Sequence, residues 1–161
     1  MSRRSRAREI VLQVLYQDDL NEDQPEDIRL RFINARLNHN KELIEFAHQL
    51  LEGVRENQEA VDAKLEETAR NWRLSRMAAT DRNVLRLGAY EILFTDTPDR
   101  VAINEAIELA KRYGTNNSSQ FVNGVLDRVM SNQSNKSDPK SDDETTDAET
   151  KSTPESETDN T

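Results

Sequence analysis

The chain has no cysteine, so neither a disulfide framework nor a thiolate metal site is open to it, a usage that fits a reducing compartment. Its four glycines form neither a G-x-G-x-x-G nor a G-x-x-x-x-G-K run, and no loop is built to cradle nucleotide phosphates. His39 and His48 are the two histidines; standing in different segments without cysteine partners, they supply too few ligands for a zinc site. No run approaches the roughly 18 apolar residues of a membrane span, and the stretch from Ile10 to Leu15, broken by Gln13, is too short for a secretory core. Carboxylates are plentiful, but they lie beside Arg and Lys on helical faces, where ion pairing accounts for them. A cytoplasmic protein without membrane, metal or cofactor chemistry is expected.

One further absence divides the chain. From 131 to 161 there is no Val, Ile, Leu, Met, Phe, Trp or Tyr, so no apolar burial offsets the entropy of ordering and the segment is expected to be disordered. It carries nine acidic against three basic residues, a net −6 out of −9, which leaves residues 1–130 at −3. The expected organisation is a folded domain over 1–130 and an acidic Ser/Thr-rich tail over 131–161.

Against this acidity, Arg3, Arg4, Arg6 and Arg8 crowd ahead of any acidic residue. Such a positive end suggests docking of an anion, above all nucleic-acid phosphate. Cations at a helix amino terminus oppose the macrodipole, so helix stability does not explain them. Ala7, Val11, Val14 and Leu15 form one stripe of 3.6-residue period flanked by Ile10 and Leu12, and Arg6, Glu9, Gln13, Tyr16 and Gln17 fall opposite. Arginines for phosphates and the Tyr16 ring for an unstacked base suit RNA.

The remaining apolar spacing is helical throughout. Six acids fall between Asp18 and Asp27, and Pro25 then suits the first position of a helix carrying Ile28, Phe32, Ile33 and Leu37, broken at 38–40. Leu43, Ala47, Leu50, Leu51 and Val54 continue, after a bend near Asn57, with Val61 and Leu65. Trp72 and Leu74 fall in a connection. Thr80 is the expected N-cap of a helix through Val84, Leu85, Leu87, Gly88, Ile92 and Leu93, apolar nearly all round and so central. After Pro98, Ile103, Ala106, Ile107 and Ala110 make a stripe, with Glu108 and Arg112 spaced to pair and Gly114 to end the helix. Val122, Val125, Leu126 and Val129 face inward from a last helix. An all-α bundle of six or seven helices results.

Three segments in this order, RARE over 6–9 with Gln13, Leu15 and Tyr16, VAINEAIELAK over 101–111, and FVNGVLD over 121–127, resemble the bacterial N-utilisation substance B (NusB) family. The resemblance covers roughly residues 3–130. It implies two three-helix subdomains, no catalytic activity, and recognition of the single-stranded boxA element of nascent ribosomal RNA leaders. Its implied partners are the ribosomal small-subunit protein NusE and the RNA polymerase antitermination complex. Carried over by position, RNA contacts are expected at Arg3, Arg4, Arg6, Arg8 and Tyr16, and at Asn117, Ser118, Gln120 and Phe121. Phe121 lies about 90° from the centre of its helix stripe, a rim position beside a helix amino terminus that suits base stacking or packing on a neighbouring helix. Asn104 and Glu105 lie off the stripe of their helix and read as solvated surface. Ser5 interrupts the arginine run, and the acidic tail has no counterpart in the resemblance. The alternative is a non-catalytic module that homodimerises through a helical face without an RNA role; a homodimer of the free protein is compatible with either reading.

Overall fold

Seven α-helices and one 3₁₀ turn make up the regular structure of the described residues, 2–69 and 71–137, in a computed structural model with no strand among them. They are α1 (Arg3–Leu20), α2 (Glu26–Arg36), α3 (Lys41–Glu56), α4 (Gln58–Thr68), the 3₁₀ turn Leu74–Arg76, α5 (Ala79–Phe94), α6 (Asp99–Tyr113) and α7 (Ser118–Ser137). One three-helix unit is α1–α3 and the other α5–α7, with α4 and the 3₁₀ turn between them; α5 packs against α1, α3, α4, α6 and α7. No helix among the described residues is long and apolar enough to cross a membrane.

Local chemistry sets most boundaries. The Ser2 hydroxyl accepts from the Ser5 amide at 3.1 Å and starts α1. Asn38 and His39 take positive φ of 52° and 55°, ending α2 at the expected break, and the Asn40 side chain accepts from the Leu43 amide to start α3. Asn57 is the single residue between α3 and α4.

Four local expectations are corrected. Pro25 is the residue before α2 rather than its first residue. Ala78 precedes α5, which places Thr80 inside the first turn instead of at the cap. Ile28 is exposed, because Ile33, with half-buried Phe32 beside it and the C-cap Leu37 after it, carries the inward side of this short helix. Finally, residues 131–137, expected to belong to the disordered tail, continue α7 to Ser137, since a helix once nucleated propagates through polar residues. The rest of the tail expected to be disordered, 138–161, lies outside the described residues.

The core stripe of α1 is as expected, with Ala7, Ile10, Val11 and Val14 fully buried. The surprise is that charged residues are buried with it: Arg8 is 3 % and Glu9 5 % exposed. Arg8 forks onto Glu91 of α5, with Nε 3.0 Å from both carboxylate oxygens and Nη2 2.8 Å from Oε1. Glu91 is itself 1 % exposed. At the other end of α1, Asp19 accepts from Arg82 Nε at 2.9 Å and Asn83 Nδ2 at 3.1 Å on α5. Arg82 also donates to the carbonyls of Leu74 and Met77, which ties down the 3₁₀ turn. Asp18 binds Arg29 of α2 and Arg55 of α3.

Side chains of neighbouring helices press on bare glycine backbone in two places. A methyl on Gly88 of α5 would sit 2.7 Å from Leu126 Cδ1 and 3.3 Å from Ala106 Cβ, and one on Gly53 of α3 would fall inside the Tyr90 ring. Gly88→Val therefore overpacks the junction of α5, α6 and α7 and is expected to cost about 1–3 kcal/mol, measured by urea unfolding. Burial pushes the Asp19 carboxyl up, but the hydrogen bonds and charges of Arg82, Asn83 and Arg86 outweigh it and hold the group below its ordinary 3.8. A carboxyl depressed in the folded state stabilises fully above its unfolded value, and that stability disappears as pH falls through the folded value. Asp19→Asn should thus lower Tm at neutral pH and shrink the further loss of Tm on acidification below about 4.

Candidate nucleic-acid interface

Helical phase sorts the four amino-terminal arginines. Arg4 and Arg8, one turn apart, both place their guanidinium over the Phe46 ring of α3, at 4.9 and 5.3 Å from its centroid. Arg4 remains exposed and Arg8 does not. The inward position of Arg8 and its fork on Glu91 make it a core ion pair, and it leaves the phosphate-facing set. Arg3 is exposed, and Arg6 keeps 42 % of its side chain exposed while reaching Glu9 at 3.2 Å.

Glu9 organises the face between α1 and α6. Its carboxylate accepts from Arg112 Nη1 at 2.9 Å and from the Tyr113 hydroxyl, and Gln13 Nε2 donates to the same hydroxyl at 3.2 Å. Burial raises the Glu9 pKa, but the Tyr113 hydrogen bond and the Arg6 and Arg112 guanidinium groups overcome it, and the carboxyl sits below its ordinary range. Burial and the Glu9 carboxylate push the Tyr113 phenol up. A carboxylate ionised at neutral pH thus holds two guanidinium groups, Arg6 and Arg112, whose side chains stay 42 % and 49 % exposed.

Further along α1, Tyr16 is 40 % exposed and lines a hollow of about 340 Å³ with Gln13, Phe32, Arg36, Thr80 and Tyr113. The hollow is continuous with the Glu9 cluster through Gln13 and Tyr113. From Tyr113 the chain turns through Gly114 into α7. Asn117 and Gln120 are exposed there, whereas Ser118 is 2 % exposed, its Oγ accepting from the Thr115 amide at 2.9 Å. Ser118 therefore builds the turn and offers no free hydroxyl to a ligand.

Phe121 looks into a different hollow. It meets Trp72 edge-on at 5.5 Å between ring centroids, in a space of about 900 Å³ bordered by Glu67, Asn71, Gln120 and Arg128. The structure thus brings Arg6 and Tyr16 onto one face, places Asn117 and Gln120 at the turn where that face ends, and sets Arg4 and Phe121 on flanks of their own.

Four residues escaped the sequence reading. Arg112 and Tyr113 close α6, where a cation suits the helix dipole, and the spacing from Glu108 suggests a local partner; Glu108 meets Lys111, and Arg112 reaches across to Glu9 of α1. Glu105, read as solvated, accepts from Ser5 Oγ at 2.6 Å and lies 3.8 Å from Arg8. Trp72, the single tryptophan, is 60 % exposed, a signal that exists only in three dimensions.

The pattern of the NusB family matches residues 5–131. Transcription antitermination protein NusB of Anaeromyxobacter dehalogenans is 50 % identical over 130 residues, 81 % of this chain and 92 % of that protein. Its counterpart from Desulfotalea psychrophila is 49 % identical over 135 residues, 80 % of this chain and 96 % of that protein. Among solved structures, T. maritima NusB superposes with a TM-score of 0.72 at 40 % identity, covering 81 % of this chain and 92 % of that one. A crystal structure of antitermination factors NusB and NusE in complex with dsRNA gives 0.74 at 27 % identity, covering 82 % and 98 %.

Breaking a buried pair leaves one charge uncompensated, so Arg8→Ala should cost about 3–5 kcal/mol of unfolding free energy. Arg3→Ala, at an exposed site, should stay within about 0.5 kcal/mol. Equal, small effects in denaturant titrations would return Arg8 to the surface set.

Proposed function

The chain belongs to the NusB family, and from that premise we propose that it is a non-catalytic transcription antitermination factor acting in the cytoplasm. In this reading it binds the boxA element of nascent ribosomal RNA leaders together with NusE and helps RNA polymerase resist termination. The names of the relatives and the NusB–NusE–dsRNA neighbour support the reading.

The observation that carries it is the face on which the ionised Glu9 holds Arg6 and Arg112 outward beside the exposed Tyr16 ring. Fixed guanidinium groups supply phosphate contacts, and an exposed ring along the same helix takes an unstacked base. Arg3 and Arg4 extend the phosphate track, and Asn117, Gln120 and Phe121 continue it at the start of α7. The RNA-binding domain is residues 1–130, its last helix running on to Ser137, and the acidic tail follows.

The test is anisotropy titration of a boxA-containing leader fragment with and without NusE. Three or four phosphate contacts on a single strand predict a log–log salt slope of about −2 to −3. Tyr16→Ala should weaken binding by about 1–3 kcal/mol through lost stacking, and NusE should tighten it cooperatively. A flat salt response, or no effect of NusE, would remove the reading.

A further inference from the structure

We propose that residues 138–161 dock on the arginine-bearing start of α1 and are displaced when RNA binds there; the displacement half rests on the RNA reading above. α6 fixes where the two chain ends lie. α1 runs parallel to it, since Ser5 meets Glu105 and Glu9 meets Arg112 and Tyr113. α7 runs antiparallel, since Gly114 abuts Ser118 and Arg100 meets Asp127. The start of α1 and the far end of α7 therefore share one end of the bundle.

Beyond Asp127, α7 continues for ten residues to Ser137, about 15 Å of further rise. Two helix spacings of about 8–10 Å across the bundle, added to that rise, put Ser137 roughly 25 Å from residues 3–6. The 24 residues that follow span up to about 80 Å when extended. Reach is ample.

Charge selects the destination. Residues 138–161 carry nine acidic and two basic side chains and no Val, Ile, Leu, Met or aromatic residue, so their contacts are electrostatic. Arg3 and Arg4 are exposed and have no carboxylate partner among the described residues. Arg73, Arg76 and Arg128 also lack one among the described residues, but they stand apart from one another: Arg73 and Arg76 lie before and at the end of the 3₁₀ turn, near Trp72, which touches Phe121 at the opposite end of α7, and Arg128 borders the Trp72 hollow alone, whereas Arg3 and Arg4 are adjacent. Tethering raises the local concentration of the acidic segment to the millimolar range, which suffices for weak exposed pairs to form repeatedly.

Because the chain lacks cysteine, Ser152→Cys creates a single spin-label site in the full-length protein. At about 0.1 M salt the label should broaden the amide signals of residues 3–6 and spare 73–76, and the broadening should vanish at about 1 M, where the screening length falls to about 3 Å. Absent or salt-independent broadening overturns the docking. In parallel, deletion of 138–161, and a variant of equal length with its acids changed to Asn and Gln, should each bind a short oligouridylate about fivefold more tightly at low salt. Unchanged affinity in both overturns displacement, and a gain from deletion alone overturns its electrostatic basis. If no form binds oligouridylate, displacement is overturned while the broadening still decides the docking and the boxA titration above decides the RNA reading separately.

Discussion

The rotation of α1 about its own axis is fixed by a buried salt bridge, the fork of Arg8 on Glu91. Two ions removed from water are tolerated only when each satisfies the other geometrically, and here Glu91 also lies 3.4 Å from the Thr97 hydroxyl. With Arg8 pinned inward against α5, the residues two before and eight after it must point elsewhere. Arg6 turns to the α6 side and Tyr16 to the hollow beside Tyr113. The outward face is a consequence of the inward pair.

The same helix repeats the device along its length. Glu9 is held from α6, Asp18 from α2 and α3, and Asp19 from α5. In each case the acid comes from α1 and at least one arginine arrives from another helix, with Arg6 of α1 joining Arg112 at Glu9. The acids of α1 are thus anchor points to which the other helices are tied, and the two half-exposed guanidinium groups at Glu9 are where this network reaches solvent. Structural electrostatics and the nucleic-acid face share atoms.

Much of the helix order was legible because periodicity is local. The stripes of α1, α3, α6 and α7, the break at 38–40, the bend at Asn57 and the end of α6 at Gly114 all follow from neighbours within a turn or two. What escaped is what sequence separation hides. An arginine whose partner lies 83 residues away looks like any basic residue near a chain end, and Arg8 was grouped with Arg3, Arg4 and Arg6 for that reason. Ser118 looked like a free hydroxyl until the Thr115 amide was seen to use it. Composition placed the end of the domain at the last apolar residue, but α7 continues through Asn and Ser side chains because its hydrogen-bond ladder does not depend on burial.

The seating of Tyr90 on Gly53 joins the two three-helix units ring against bare backbone. Any hinge motion that opened the units would first have to extract an aromatic ring from the notch a missing side chain leaves. The two halves are thereby presented as one stiff body, and a partner spanning both meets a surface that is already shaped, so little internal freedom is surrendered on association.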